Sequence, residues 1–467
     1  MGMEFQKRLA AKGTSIPGML LFDLPVHGDN RGWFKENWQR KKMMELGLPD
    51  FSPVQNNISF NDKAGTTRGI HAEPWDKFVS VATGRIFCAW VDLREGPSFG
   101  AQFTTELDPG QAIYIPRGVA NSYQTLEANT SYVYLVNDHW SPETAYTFVN
   151  LSDPSLGIDW PIPLDRAEVS EKDLGHPMLA EVAPIPPRKI LLIGGHGQLG
   201  LALQEVFDGD SRLEVADRTT VDLGKPESLL EIAWRQYDTI INAAAYTAVD
   251  KAETPEGRAE SWAVNATGVA ALAKIAAEHG ILLVHVSSDY VFDGRVEEHD
   301  EDEPFTPLGV YGQSKGAGDT VVGSLARHYI VRTSWVIGEG NNFVRTMASL
   351  ASRGVKPAVV NDQFGRLTFT ADLAAGIKHL VAVSAPYGTY NLSNTGSVAS
   401  WAEIAADVFE IVGADRDSVT GVSTEDYFAG KQAAPRPRHS TLKLDKLESA
   451  GFSPADWRSR LKAYLCP

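Results

Sequence analysis

Between about residues 17 and 160 the chain runs in short apolar, β-branched and aromatic stretches separated by turn residues, as at 77–81, 85–91 and 130–136. Runs of this length and composition predict strands. A long succession of them predicts a sandwich or barrel. Residues 182–188 hold three prolines in seven residues, a composition that favours an extended connector. Beyond it the pattern changes. A continuous apolar run at Lys189–Ile193 is followed by a helical pattern from Gln198. Further strands are predicted at Leu213–Ala216, 239–242 and 281–286, with an alanine-rich helical stretch at 259–279. Strands alternating with helices predict a doubly wound parallel sheet. The chain is therefore divided into an all-β domain at 1–181, a linker at 182–188 and an α/β domain at 189–467.

Composition narrows the function. At 467 residues the chain exceeds what one core usually organises. A net charge of -16 argues against a broad phosphate-backbone surface, so nucleic acid is not expected as a partner. Small phosphorylated ligands remain compatible with it, because a few arginines can make a pocket positive. Two cysteines, Cys88 and Cys466, are too few for a disulfide framework or a cysteine metal cluster. No run reaches membrane-spanning length, and the first six residues carry no apolar signal core. A cytoplasmic protein is the expectation.

The chemistry of the second domain begins directly after its first strand, at Gly194-Gly195-His196-Gly197-Gln198-Leu199-Gly200. Glycines at this spacing permit a tight strand-to-helix turn, a close approach of backbone N–H groups to a pyrophosphate, and tight helix packing. The second strand ends at Asp217-Arg218: an acidic residue there suits a ribose and an arginine suits a 2'-phosphate. The pair points both ways, so NADPH and NADH are both expected to bind. Tyr311 and Lys315 lie four apart, on one face of a helix, where an ammonium would lower the phenol's pKa and help it exchange a proton with a carbonyl oxygen. Ser288, at the end of a strand, would hydrogen-bond the same oxygen. A tyrosine and a lysine four apart are by themselves more often a surface pair; the glycine turn and the serine reverse that weighting.

These residues resemble the dTDP-4-dehydrorhamnose reductases, a branch of the extended short-chain dehydrogenases. The resemblance runs from about 189 to 446. It includes Asn242-Ala243-Ala244-Ala245-Tyr246-Thr247-Ala248-Val249-Asp250, Arg332-Thr333-Ser334-Trp335, Asp362-Gln363-Phe364-Gly365 and Arg436-Pro437. It implies that Ser288, Tyr311 and Lys315 form the catalytic set and that Thr247, Tyr290 and Trp335 border the sugar. Asp222, Leu223 and Ala243, Ala244 and Ala245 match cofactor-contacting positions. Ser288 stands where many relatives have Thr, and the hydroxyl is kept.

The first domain contains Asp29-Asn30-Arg31-Gly32-Trp33-Phe34-Lys35-Glu36, Gln55-Asn56-Asn57, Arg68-Gly69-Ile70-His71 and Ile115-Pro116-Arg117-Gly118-Val119-Ala120. Over about 18–177 it resembles the dTDP-4-dehydrorhamnose 3,5-epimerases, metal-independent cupins with a jelly-roll fold. Protons at C3 and C5 of a 4-keto sugar are acidic because the carbonyl delocalises the carbanion. A base must remove each, a cation must steady the enolate oxygen, and an acid must return a proton to the other face. By resemblance His71 is the base, Asp173 its orienting carboxylate, Lys77 the cation and Tyr134 the acid, while Arg31, Glu36, Gln55 and Arg68 hold the nucleotide. No metal is expected in either domain. Two features depart from the family. Arg-Gly-Leu-His-Tyr-Gln is replaced by Arg68-Gly69-Ile70-His71-Ala72-Glu73, and Asn121 stands where a histidine is common. Asn121 cannot titrate, so it is expected to contact substrate only through hydrogen bonds.

The expected protein is a homodimeric bifunctional enzyme that epimerises and then reduces a dTDP-4-keto sugar. Two alternatives stay open: a cupin domain narrowed to one carbon or to binding, and a dinucleotide-binding regulatory subunit. The combination of Ser288, Tyr311 and Lys315 argues against the second.

Overall fold

The computed structural model describes residues 7–140 and 144–466; the N-terminal stretch inspected for a signal lies outside it. The chain divides into two compact units, 1–187 and 188–467.

In the first unit the apolar alternation resolves into two antiparallel sheets. One has the order Ala10–Gly13, Leu20–Asp23, Gln111–Ile115, Lys77–Thr83, Thr130–Val136, Gln55–Asn61. The other has the order Thr147–Phe148, Thr66–Ala72, Val119–Thr125, Ile86–Asp92, Gln102–Leu107, with Glu168–Val169 added in parallel. Their inner faces enclose Met19, Val79, Val81, Cys88, Trp90, Ile113 and Tyr132. Burying such residues supplies the main driving force for the sandwich. The chain crosses between sheets at residues 73–76, a corner pinned by Asp76. One Asp76 oxygen accepts the Arg117 N–H at 2.8 Å and the other accepts from Asn137 Nδ2 at 2.8 Å. A separate hairpin, Val26–Asp29 with Gly32–Lys35, leaves Trp33 and Phe34 exposed. Within the proline-rich segment Ile185 bridges Arg94, so this stretch is extended and also tied to the first unit.

The second unit is built on a six-stranded parallel sheet in the order Leu213–Ala216, Lys189–Ile193, Tyr237–Asn242, Leu282–Ser288, His328–Thr333, Gly388–Asn391. Apolar clusters cover both faces, one around Leu192, Leu203 and Ile377, the other around Leu191, Leu272 and Leu283. The alanine-rich helix is interrupted: Pro255–Trp262 passes through a π turn at Ala263–Gly268 into Val269–His279. A third cluster, around Leu367, Ile404 and Trp457, joins the short strand pairs and helices that follow the main sheet.

Candidate active sites

The order reversal in the parallel sheet lies between Lys189–Ile193 and Tyr237–Asn242, and the loops leaving the carboxyl ends of these strands form a cavity of about 830 Å³. Gly194 opens the first loop at φ +83°, and a Cβ there would lie 2.7 Å from Ala244 N. A Cβ on Gly200 would come within 2.2 Å of the Gly194 carbonyl. The turn and the helix Gln198–Val206 therefore need these two glycines for their close approach. Gly194, Gly197, Gln198, Leu199, Arg218, Asp222, Leu223, Ala243, Ala244 and Ala245 line the cavity; Gly200 packs beneath it. Asp217 does not line it. Its Oδ1 accepts from the N–H and hydroxyl of Thr219 and from Thr220 N–H, and these bonds hold its pKa down at about 2. The expected ribose ligand is thus engaged as the cap of its own turn. Arg218 stays largely exposed, 3.5 Å from Asp222.

The same cavity receives Ser288, Tyr311, Lys315, Thr247, Tyr290 and Trp335. Helix Val310–Val322 has no side-chain cap of its own, and Glu253 accepts the Val310 N–H at 2.8 Å in its place. This fixes the turn that carries Tyr311. Ser288 Oγ donates to Asp289 Oδ1 at 2.9 Å and accepts the Tyr290 N–H at 3.2 Å. Burial pushes Asp289 up to about 6. Tyr311 meets Tyr290 edge-on at 5.4 Å. Burial, then the Asp289 charge, raises the Tyr311 phenol well above its ordinary value, the opposite of the lowering expected from Lys315. Lys315 donates to the Val286 carbonyl at 2.7 Å and lies 3.3 Å from His285 Nε2. Its pKa is depressed to about 8 by burial, with Asp319 opposing. His285 and Asp319 were not singled out in the sequence, although a charged or polar side chain within an apolar strand or helix face is a recognisable signal. Trp335 adopts φ +46° and stacks on Trp401 at 3.8 Å.

Buried Tyr246 Oη, Thr333 Oγ1 and Ser334 Oγ belong to residues lining this cavity and have no hydrogen-bond partner among the described residues. Unpaired buried polar groups are costly unless a ligand completes them. With the Gly194 cradle and Arg218, they fit a dinucleotide and a polar second substrate.

The first unit carries a smaller pocket of about 460 Å³ lined by Arg68, His71, Tyr146, Phe148, Lys172 and Asp173, among others. Tyr146 stacks on His71. Lys77 is buried, and its ammonium sits 5.0 Å over the Tyr134 ring. Burial, then Glu73, raises the Tyr134 phenol. Three expectations are revised. Asp173 does not bond His71; its oxygens accept the Gly69 N–H at 3.3 Å and lie 3.8 Å from His176. The carboxylate against His71 is Glu73, 3.3 Å from Nε2. Asn121 is buried, with Oδ1 accepting from Trp90 Nε1 and Nδ2 donating to Tyr132, so it is a core residue and not a surface contact. Arg31 and Glu36 lie on or just after the exposed hairpin, paired to Asp29 and Lys42, and Gln55 bonds Asn57; none lines the pocket.

Residues 188–467 match the family described as RmlD substrate binding domain, and residues 13–181 match dTDP-4-dehydrorhamnose 3,5-epimerase. The chain belongs to both families. The RmlC homolog of Streptococcus pyogenes serotype M6 is 50% identical over 194 residues, covering 40% of this chain and 98% of that protein. On the RmlD side, the dTDP-4-dehydrorhamnose reductase of Aggregatibacter actinomycetemcomitans is 36% identical over 291 residues, covering 59% of this chain and 97% of its own. The crystal structure of dTDP-4-dehydrorhamnose reductase from Bacillus anthracis in complex with NADP is 35% identical, covers 60% of this chain and 99% of that one, and superposes with a TM-score of 0.56.

Proposed function

We propose that this chain performs two consecutive steps of dTDP-L-rhamnose synthesis: 3,5-epimerisation of dTDP-4-dehydro-6-deoxy-glucose and NADPH-dependent reduction of the resulting 4-keto sugar. The observation that carries the reading is the gathering of Ser288, Tyr311 and Lys315 on one cavity with the Gly194 turn, on a chain whose other unit belongs to the epimerase family. When bound, NADPH would supply the hydride for C4; the glycine turn and the loop at Ala243, Ala244 and Ala245 would hold its pyrophosphate, and Arg218 would meet the 2'-phosphate. Tyr311 gives its proton to the C4 oxygen while Ser288 donates a hydrogen bond to the same atom. Lys315 keeps positive charge close to Tyr311, favouring its phenolate after transfer. Thr247, Tyr290 and Trp335 border the sugar.

In the first unit His71 removes the C5 and C3 protons, Lys77 steadies the enolate oxygen, and Tyr134 returns a proton to the opposite face. Arg68 draws in the diphosphate. A homodimer is part of this reading. It is supported by apolar surface on the hairpin and the edge strand Gln55–Asn61, where Phe34, Ile58 and Phe60 are 68%, 67% and 61% exposed. Among the described residues no helix is long and apolar enough to cross a membrane.

The test is incubation with the 4-keto sugar nucleotide in heavy water, with and without NADPH, followed by product stereochemistry. Deuterium at C5 and C3 without NADPH, and dTDP-L-rhamnose with it, is the expected result. Deuterium at one carbon would identify a narrowed epimerase. None would reduce the first unit to a binding module, and no turnover of NADPH would overturn the reductase.

A further inference from the structure

We propose that Glu73 is the positioning residue of the epimerase site, its buried carboxylate held against His71 and Lys77 together so that it fixes both and stabilises the proton His71 takes from the sugar. The inference rests on the epimerase reading above and concerns a residue at which this chain departs from its family's pattern.

Glu73 lies on the corner at 73–76, after the strand that carries His71 and before the strand that begins with Lys77. Its Oε1 is 3.3 Å from His71 Nε2 and makes a short contact with Lys77 Nζ. The corner is anchored independently by Asp76 to Arg117 and Asn137, so the carboxylate is delivered by a rigid turn. Glu73 is 8% exposed, and like Lys77 and Tyr134 it is not part of the pocket lining; its carboxylate is engaged by His71 and Lys77, which makes it a support for those groups. Burial alone would push its carboxyl up, but Lys77 and His71 outweigh that and hold it at about 2, so it is ionised throughout the working range.

The charges then balance at each stage. Before proton abstraction the Glu73 carboxylate offsets the Lys77 ammonium. Abstraction moves a proton from the sugar carbon to His71 and leaves the electron pair delocalised onto the C4 oxygen. The new imidazolium and Lys77 then share two positive charges against Glu73 and the enolate. Without Glu73 the site would hold a buried, uncompensated ammonium beside the base, which disfavours a second cation there. The other ionisable groups around Glu73 are the phenols of Tyr132, Tyr134 and Tyr146, all raised principally by burial and therefore neutral. Arg68 acts on Tyr134, and Asp173 lines the same pocket as His71, 3.8 Å from His176. Asp173 spends its oxygens on Gly69 and His176, which leaves Glu73, among the described residues, as the carboxylate in contact with the base.

The experiment uses the full chain, with Glu73→Gln, Glu73→Asp and wild type compared in two measurements. First, the His71 imidazole is titrated by NMR in histidine-labelled protein, assigned with His71→Ala. Glu73→Gln should move the His71 titration to lower pH, the direction for losing a contacting opposite charge, and Glu73→Asp should recover part of this. Second, deuterium exchange into the 4-keto sugar is followed against pH. The acid limb of kcat/KM should move down with the imidazole, kcat should fall about tenfold, and KM should stay within about twofold. An unmoved His71 titration in Glu73→Gln overturns the proposal, whether or not the wild type exchanges deuterium. Absence of exchange in the wild type overturns instead the epimerase reading. A loss appearing in KM, with the pH profile unchanged, also overturns the positioning role.

Discussion

Lys77 and Lys315 are both almost wholly buried, at 3% and 1% of their surface, and each serves one of the two proposed reactions. Lys77 carries its countercharge with it, since Glu73 touches the ammonium. Among the described residues Lys315 has no carboxylate in contact: it is held by a backbone carbonyl and a histidine ring, with Asp319 acting from farther away. Burial consequently brings Lys315 down to about 8. The contrast teaches that a buried lysine can be given a carboxylate in direct contact, as Lys77 is, or be left without one and so poised to change charge, as Lys315 is. An enolate needs the first, because its charge appears beside the lysine. A phenol that must be reprotonated every turnover is served by the second.

The comparison can be broken most severely at Tyr311. Tyr311→Phe should lower reductase turnover at least about a hundredfold, the scale of a lost general acid, with NADPH binding nearly intact and deuterium exchange by the first unit unaffected; stopped-flow reduction and cofactor titration measure this. Next in size, the poised lysine sets a pH limit. Lys315 is charged below about 8 and loses its proton above it, so kcat/KM for reduction should fall about tenfold per pH unit above about 8. A flat profile to pH 10 would show that its charge is not needed. The paired lysine should leave its mark on stability instead. Glu73 falls from its ordinary 4.5 to about 2, so its contribution is complete above pH 4.5 and is lost as the pH drops towards 2. Glu73→Gln should flatten the acid dependence of the first unit's melting temperature in that window, as calorimetry would record. The smallest effect is expected at the second strand's end. Arg218→Ala should raise KM for NADPH about fivefold and leave NADH unchanged, while Asp217→Ala should alter neither beyond about twofold.

Much of the architecture was legible because buried strands carry a strong pattern: Lys189–Ile193 and Leu213–Ala216 coincide with their expected bounds. The π turn at Ala263–Gly268 was not, since shifting one turn's hydrogen bonds leaves the apolar period nearly intact. Two-residue strands such as Phe364–Gly365 carry no period at all. In the sites, residues grouped by motif were placed together on one cavity, as with Ser288, Tyr311 and Lys315. What failed was the assignment of partners. Asp217 heads an Asp-x-Thr-Thr turn that satisfies its carboxylate locally, and Asn121 faces Trp90 in the core. Glu73 was visible as a substitution, but its contact with both His71 and Lys77 depends on how the corner between two sheets folds back.

The stacking of Trp335 on Trp401 has an optical consequence. Two indoles 3.8 Å apart and 21° from parallel couple their electronic transitions, and coupled transitions produce a split circular-dichroism signal whose sign and size follow the angle between the rings. Trp335 lines the reductase cavity while Trp401 begins the helix Trp401–Ile411. A sugar nucleotide that turns Trp335 would therefore change the split signal without any added label, so that occupancy of this site can be followed through the protein's own absorbance.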